Sequence, residues 1–143
     1  MLKKMKALVR EKDVCVLSTV SQDATPHCSL MSYVADEECC KIYMVTHTST
    51  KKYKNLLHNP AVSLLIDSRE VTPRQNAQAL TVCGIFQPIE DANKRDHVKA
   101  HLLMKHPHLK NFVKNQDTVA ICIKVQSFLL LDGLTDSYFV NLT

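Results

Sequence analysis

The chain reads as a mainly β protein, a small barrel of six or seven antiparallel strands with helices outside the sheet. Three observations lead there. Short apolar, β-branched runs recur along the 143 residues and are separated by Gly, Pro, Asp, Asn and Ser clusters. Helical patterns occupy only the start, the middle and one long stretch before the last strands, whereas a doubly wound sheet needs a helix after nearly every strand. Only two glycines occur, and neither GxGxxG nor GxxxxGK[ST] is present. Any phosphate group must therefore be held by side chains and a helix start.

Each element has its own warrant. Residues 1–12 place Leu2, Met5, Leu8 and Val9 at helical spacing between basic residues. Val14–Val20 is β-branched and apolar, a buried strand. Residues 21–26 carry turn chemistry, and His27–Val34 forms the next strand. After the turn at 35–38, Cys40–Thr46 completes an apparent meander of three antiparallel strands. Ser49–Asn59 reads as a short helix with Tyr53, Leu56 and Leu57 on one face, stopped at Asn59-Pro60 because the residue before proline is steered out of the α region. Ala61–Asp67 is a strand, and the polar segment 68–78 a loop. Ala79–Ile89 is a strand whose Gly84 marks a bulge or a close backbone approach. Glu90–Leu109 is the longest helix, breaking at Pro107. Thr118–Leu131 is a long strand, and Tyr138–Leu142 adds a seventh. No repeat interrupts this order, so residues 1–143 form one domain.

Composition narrows the function. No apolar run approaches the ~18–20 residues of a membrane span. The N-terminus lacks a continuous apolar signal core, so a cytoplasmic location and no membrane partner are expected. Six cysteines are present, but Cys15, Cys28, Cys83 and Cys122 lie in apolar runs and Cys39 and Cys40 are adjacent. Free, buried thiols in a reducing compartment follow, Cys28 among them. His97 and His101 stand four apart, but Val98 occupies the place of a zincin glutamate and no CxxC occurs, so no metal site is predicted. The net charge of +4 comes without an RNP motif, a zinc finger or a long basic run. Nucleic acid is not an expected partner.

The richest stretch is Ile42–Pro60, IYMVTHTSTKKYKNLLHNP. A strand runs into the hydroxyls Thr46, Thr48, Ser49 and Thr50, and then into Lys51 and Lys52 at a helix start. Lysine in a first turn opposes the helix dipole by roughly 0.3–1 kcal/mol. Two lysines beside several hydroxyls and free backbone N–H groups make sense if an anion, naturally a phosphate, binds there.

These blocks together resemble the FMN-binding split-barrel family of pyridoxamine 5′-phosphate oxidase-like proteins. The likeness is carried by Val16–Leu30, by Ile42–Ile66 with its strand, Thr, Lys pair, Asn-Pro and VSLL, and more weakly by Ala79–Gly84. The resemblance implies an antiparallel split β-barrel, a homodimer, and FMN as cofactor. It implies that Thr46, Thr50, Lys51 and Lys52, with Ser49 as a close alternative, hold the phosphate and ribityl chain. His27, Cys28, Ser29 and Leu30 are implied contacts of the ring and ribityl. The expected function is an FMN-dependent oxidoreductase working by hydride transfer at flavin N5, with a small organic molecule as substrate and NAD(P)H among the candidate electron donors. A non-catalytic flavin carrier or redox sensor, or a haem- or deazaflavin-binding relative, are the alternatives. No catalytic residue is assigned.

The departures from the family pattern are informative. Strand two, at Ser29–Val34, lacks the arginine and lysine of true pyridoxamine phosphate oxidases, the chain has no Trp, and no arginine follows Arg95. A substrate bearing its own phosphate needs a second cationic clamp, and lysine does not supply the bidentate fork of arginine. With FMN supplied, kcat/KM for pyridoxamine phosphate is expected below the ~10⁴ M⁻¹s⁻¹ floor typical of enzymes on their own substrates. A steady-state value at or above that floor would show that the substrate clamp is built from other residues.

Overall fold

The structure, a computed structural model, describes residues 1–143. Its elements in chain order are α1 (Leu2–Glu11), β1 (Val14–Val20), β2 (Pro26–Ser32), β3 (Val34–Ala35), β4 (Lys41–His47), α2 (Lys51–His58), β5 (Ala61–Asp67), β6 (Gln78–Gln87), α3 (Ala92–Lys105), α4 (Lys110–Lys114), β7 (Thr118–Asp132) and β8 (Asp136–Asn141). The strands form one antiparallel sheet in the order β2-β1-β5-β6-β7-β4-β3, with β8 added beside β7. The two ends of this order, β2 and β3, are separated in the chain only by Tyr33. One bent segment therefore supplies both edges, and the sheet curls into a barrel with a split where β2 and β4 part.

The predicted strand His27–Val34 is thus divided. Its first part pairs β1 from Pro26 to Ser32, and after Tyr33 its continuation pairs β4 through Val34 and Ala35. The expected meander holds only for the β1–β2 hairpin, because β4 takes β7 as its long partner, Lys41↔Lys124 to His47↔Thr118. Tyr33 is fully buried, and its hydroxyl donates to the Val9 carbonyl at 2.6 Å. Sequence pattern carries no signal for such a switch, since both halves are extended and apolar.

Packing explains the strand compositions. The barrel interior holds Leu17, Leu64, Ile66, Leu80, Val82, Ile121, Ile123 and Phe128, with Met5, Leu8 and Val9 of α1 in the same core. A second, smaller cluster packs α3 and α4 onto the outer face of β4 and β7 through Tyr43, Val45, Val98, Leu102, Val113 and Ala120. Buried on both faces, β4 has five consecutive buried residues from Ile42 to Thr46, and so reads as a continuous apolar run rather than an alternating one. The remaining outer face, on β2, β1, β5, β6 and the end of β7, has no helix over it. There Leu30 is 72% exposed and Leu129 42%, and Phe139 on the adjoining β8 is 64% exposed.

The helices differ from expectation in detail. The long helix ends at Lys105, and a 3₁₀ turn at Pro107–Leu109 leads into the unpredicted α4. On α2, Leu56 is buried together with Asn55 instead of Leu57, which is 62% exposed. The cause is a polar anchor: Asn55 Nδ2 donates to Thr19 Oγ1 at 3.1 Å inside the protein, which rotates the helix about that bond. Of the six thiols, Cys15, Cys39 and Cys122 are buried, while Cys28, Cys40 and Cys83 are exposed. The expectation of a buried Cys28 fails because it lies on the uncovered outer face, opposite Ser18.

Gly84 sits where the β6–β7 register shifts, Cys83 facing Ser127 and Gly84 facing Val125. The extra residue switches which side chains of β7 point inward, from Ile121, Ile123 and Val125 to Phe128 and Leu130. A Cβ on Gly84 would lie 2.7 Å from both Ile123 Cγ2 and the Lys124 carbonyl oxygen. The backbone oxygen cannot move without breaking the ladder. Gly84→Ala is expected to destabilise the fold by about 1–3 kcal/mol, checked by denaturant unfolding. An unchanged midpoint and slope would show that the two strands are not in contact there.

Candidate functional site

The split is a cleft of about 280 Å³. One wall is Leu30, Met31 and Ser32 of β2, and the other is Val45, Thr46 and His47 of β4. β2 pairs only β1, and from Met44 to His47 the strand β4 pairs only β7. Two strand edges with unpaired backbone donors and acceptors therefore face the opening. Unpaired main-chain groups need partners, which makes the split a place where a ligand's polar edge can be hydrogen-bonded.

The floor comes from the start of α2. Thr50 is the N-cap: its Oγ1 accepts from the Tyr53 N–H at 3.3 Å and donates to the His47 carbonyl at 2.9 Å. Thr46, only 2% exposed, lies with its Oγ1 3.0 Å from Thr50 Oγ1. Helix geometry leaves the N–H groups of Lys51 and Lys52 without intrahelical acceptors. Lys52 lines the cleft beside Thr46 and Thr50. No acidic residue stands in the first turn to neutralise it. The free N–H groups, the dipole and one ammonium converge on a point suited to a phosphate, beside the mutually paired Thr46 and Thr50 hydroxyls.

The far end is closed by the C-terminal half of the chain. Phe112 of α4 stacks on the His47 ring, with centroids 4.3 Å apart and planes 5° from parallel. Leu109 lies beside it. The buried His47 Nε2 has no hydrogen-bond partner. Burying such an atom unpaired is costly, which suits a group that pairs with something brought into the cleft.

The structure brings together some of the sequence-predicted residues and separates others. Thr46, Thr50, Lys52 and Leu30 line the cleft. Lys51, next in the chain, turns to a separate polar depression shared with Ser21, Gln22, Asp23 and Thr25. Ser49 is exposed in the turn before the cap. His27, Cys28 and Ser29 lie further along β2, opposite Thr19, Ser18 and Leu17, and do not line the cleft. Sequence reasoning passed over Met31, Ser32, His47, Leu109 and Phe112. His47 stood inside the hydroxyl run and was legible there. Phe112 sits on a five-residue helix too short to show a period.

Fold and site together describe a split β-barrel whose gap opens onto the start of a helix. The sequence profile of the pyridoxamine 5′-phosphate oxidase family matches residues 1–132, and the chain belongs to that family. No curated protein matches it in sequence. Among solved structures it is similar to a heme binding protein from Mycobacterium smegmatis (TM-score 0.87, 16% identity, covering 98% of this chain and 57% of that one). It is also similar to HutZ, the haem storage protein from Vibrio cholerae (TM-score 0.77, 18% identity, 92% and 93%). A third is an FAD-binding protein from Mesorhizobium loti (TM-score 0.74, 15% identity, 90% and 91%). The chain spans little more than half of the mycobacterial protein, and identities this low establish the shared fold alone. No helix is long and apolar enough to cross a membrane.

Thr50→Ala is expected to lower stability by about 1–3 kcal/mol, since it removes the cap and leaves the buried Thr46 hydroxyl without its partner. Thr50→Ser should recover most of the loss. Thermal melts of the two variants check this, and equal midpoints for alanine and wild type would mean that Thr50 does not cap α2.

Proposed function

We propose that the chain binds FMN in the split and acts, as a homodimer, as an FMN-dependent oxidoreductase on a small organic molecule. The observation that carries this reading is the convergence of Lys52, the Thr46–Thr50 hydroxyl pair and the open N–H groups of α2 on one end of a cleft. The rest of that cleft offers unpaired strand edges and aromatic or apolar walls. A phosphate fits the first part, and a flat, polar-edged ring fits the second. When bound, the flavin supplies hydride chemistry at N5, and the protein supplies position and electrostatics. Lys52 and the α2 N–H groups anchor the phosphate, with Lys51 adding charge from the neighbouring depression. Thr46 and Thr50 meet the polyol, the strand edges orient the ring, and Phe112 holds the His47 imidazole in place at its rim. NAD(P)H is the electron donor to try first.

At about 280 Å³ the cleft is just under the ~300–1,000 Å³ usual for ligand pockets. A second copy would enlarge and close it. The uncovered sheet face carries one continuous cross-strand row, Leu30–Val16–Leu65–Thr81–Leu129–Phe139. Leu30 belongs both to that row and to the cleft wall. An apolar face of this kind is what a two-fold partner covers, and a partner seated on it abuts the cleft.

His47 also favours a second reading, haem, because an unpartnered imidazole nitrogen at a cleft wall suits an iron ligand. The visible spectrum of the ligand-loaded protein separates the two, a flavin spectrum supporting the first and a Soret band the second.

Two outcomes are expected. Lys52→Ala should weaken FMN binding about ten-fold or more, Lys51→Ala less, and riboflavin should bind far more weakly than FMN, as fluorescence titration will show. Equal affinities for FMN and riboflavin would remove the phosphate from this site. In sedimentation the protein should run at about twice its 16.2 kDa mass, and Leu129→Lys should shift it toward monomer with loss of FMN affinity. A monomer that binds FMN tightly would contradict the shared cleft.

A further inference from the structure

A second pocket, of about 210 Å³, lies on the opposite side of β4 from the barrel core, under the start of α3. It is separate from the split and takes no part in the reading above. Lys41 of β4 and Lys94 of α3 line it, with Tyr43 and Cys122 at its base. Lys41 is directly opposed across the ladder by Lys124. Like charges in that relation repel, so the sheet carries an unfavourable pair at this edge. Lys94 adds a third cation in the first turn of α3, where the helix dipole disfavours it. None of the three lysines joins an ion pair.

The independent sign comes from Tyr43. The residue is only 3% exposed, and its buried hydroxyl has no hydrogen-bond partner. Tyr43 belongs to the buried apolar cluster of Val34, Val45, Val98 and Leu102 and also lines this pocket, where phenylalanine would avoid the cost of an unpaired hydroxyl. Lys94 Nζ lies 5.4 Å from the ring centroid, which answers part of the lysine's charge but gives the hydroxyl nothing. Two carboxylate residues, Glu90 and Asp91, also line the pocket, and Asp36 lies near Lys41. Asp91 caps the Asn93 N–H, Asp36 accepts from the Cys40 and Lys41 N–H groups, and Glu90 is exposed at the rim. Arg95 donates to the Ile89 and Glu90 carbonyls and so fixes the rim in place.

We propose that this pocket is a binding site for a phosphate dianion, free or as a phosphate ester, with Lys41 and Lys94 as its cations and the Tyr43 hydroxyl as a donor. A dianion neutralises Lys41 and Lys94, which offsets the repulsion between Lys41 and Lys124, and gives the buried hydroxyl an acceptor. Displacement of the exposed Lys94 side chain from the ring admits it.

The test is titration of the full chain with inorganic phosphate at constant ionic strength, read from the backbone amide NMR signals of Gln87, Lys94 and Cys122. These report this pocket, whereas phosphate at the start of α2 is read separately at Lys52. Saturable shifts are expected, with affinity lowered about ten-fold by Lys94→Gln and by Tyr43→Phe, and acetate at least about ten-fold weaker than phosphate. Shifts that do not saturate, that persist unchanged in both variants, or that acetate reproduces at equal concentration overturn the proposal. Because the signals differ from those of the split, failure here leaves the flavin reading standing, and the reverse also holds.

Discussion

Tyr33 is where the architecture is decided. It is the residue at which one extended segment leaves β1 and joins β4. Its N–H donates to the Asp13 carbonyl at 3.2 Å, and the buried His106 Nε2 donates to the Tyr33 carbonyl at 2.8 Å. Its hydroxyl holds the end of α1, and Lys105 sits 5.0 Å from its ring centroid. Every polar group of the residue is thus committed to an element outside the ladder: the α1–β1 link, α1 itself and the end of α3. A segment pinned this way cannot pair with two strands over the same length. Before Tyr33 it serves β1, after it β4, and the space between β2 and β4 has to open.

The split follows from that constraint, and the site follows from the split. Two free edges would be a liability in a finished sheet. Here the Thr46–Thr50 pair, the start of α2 and the His47–Phe112 stack are arranged around them. Several features at this place break local rules: lysine in a first helical turn, an unpaired imidazole nitrogen, and an apolar strand face left open to water. Taken singly each lowers stability. Taken together they fit the ligand and the second copy of the chain that we propose, and sequences tend to depart from self-consistency at functional sites.

Much of the barrel was legible because local signals are strong where packing is one-sided. Val14–Val20, Ala61–Asp67 and Thr118–Asp132 match their predicted strands to within a residue or so, and Gly84 marks the bulge expected of it. The Thr50 cap was readable because hydroxyl, lysine pair and Asn-Pro stop lie within eleven residues of sequence. What was not legible depended on contacts distant in the chain. The break at Tyr33 is set by residues near 9, 13 and 106. The rotation of α2 is set by Asn55 meeting Thr19. The exposure of Cys28 is set by the lack of any helix over the outer face of β1 and β2. The wall at Phe112 comes from a turn and a five-residue helix that carry no periodic signal. Proximity of Lys51 and Lys52 in sequence suggested one role for both, but successive helical residues point about 100° apart, and only Lys52 reaches the cleft.

In the function we propose, a flavin nucleotide lies in the gap between β2 and β4 with its phosphate at the start of α2. Mapping the backbone amide NMR shifts of the full chain on addition of FMN tests it most directly. Saturable changes are expected at Met31, Ser32, Thr46, His47, Lys52 and Phe112, the residues of both walls, the floor and the closing stack. Changes confined to other surfaces, or none at FMN concentrations that saturate other flavoproteins, would contradict it.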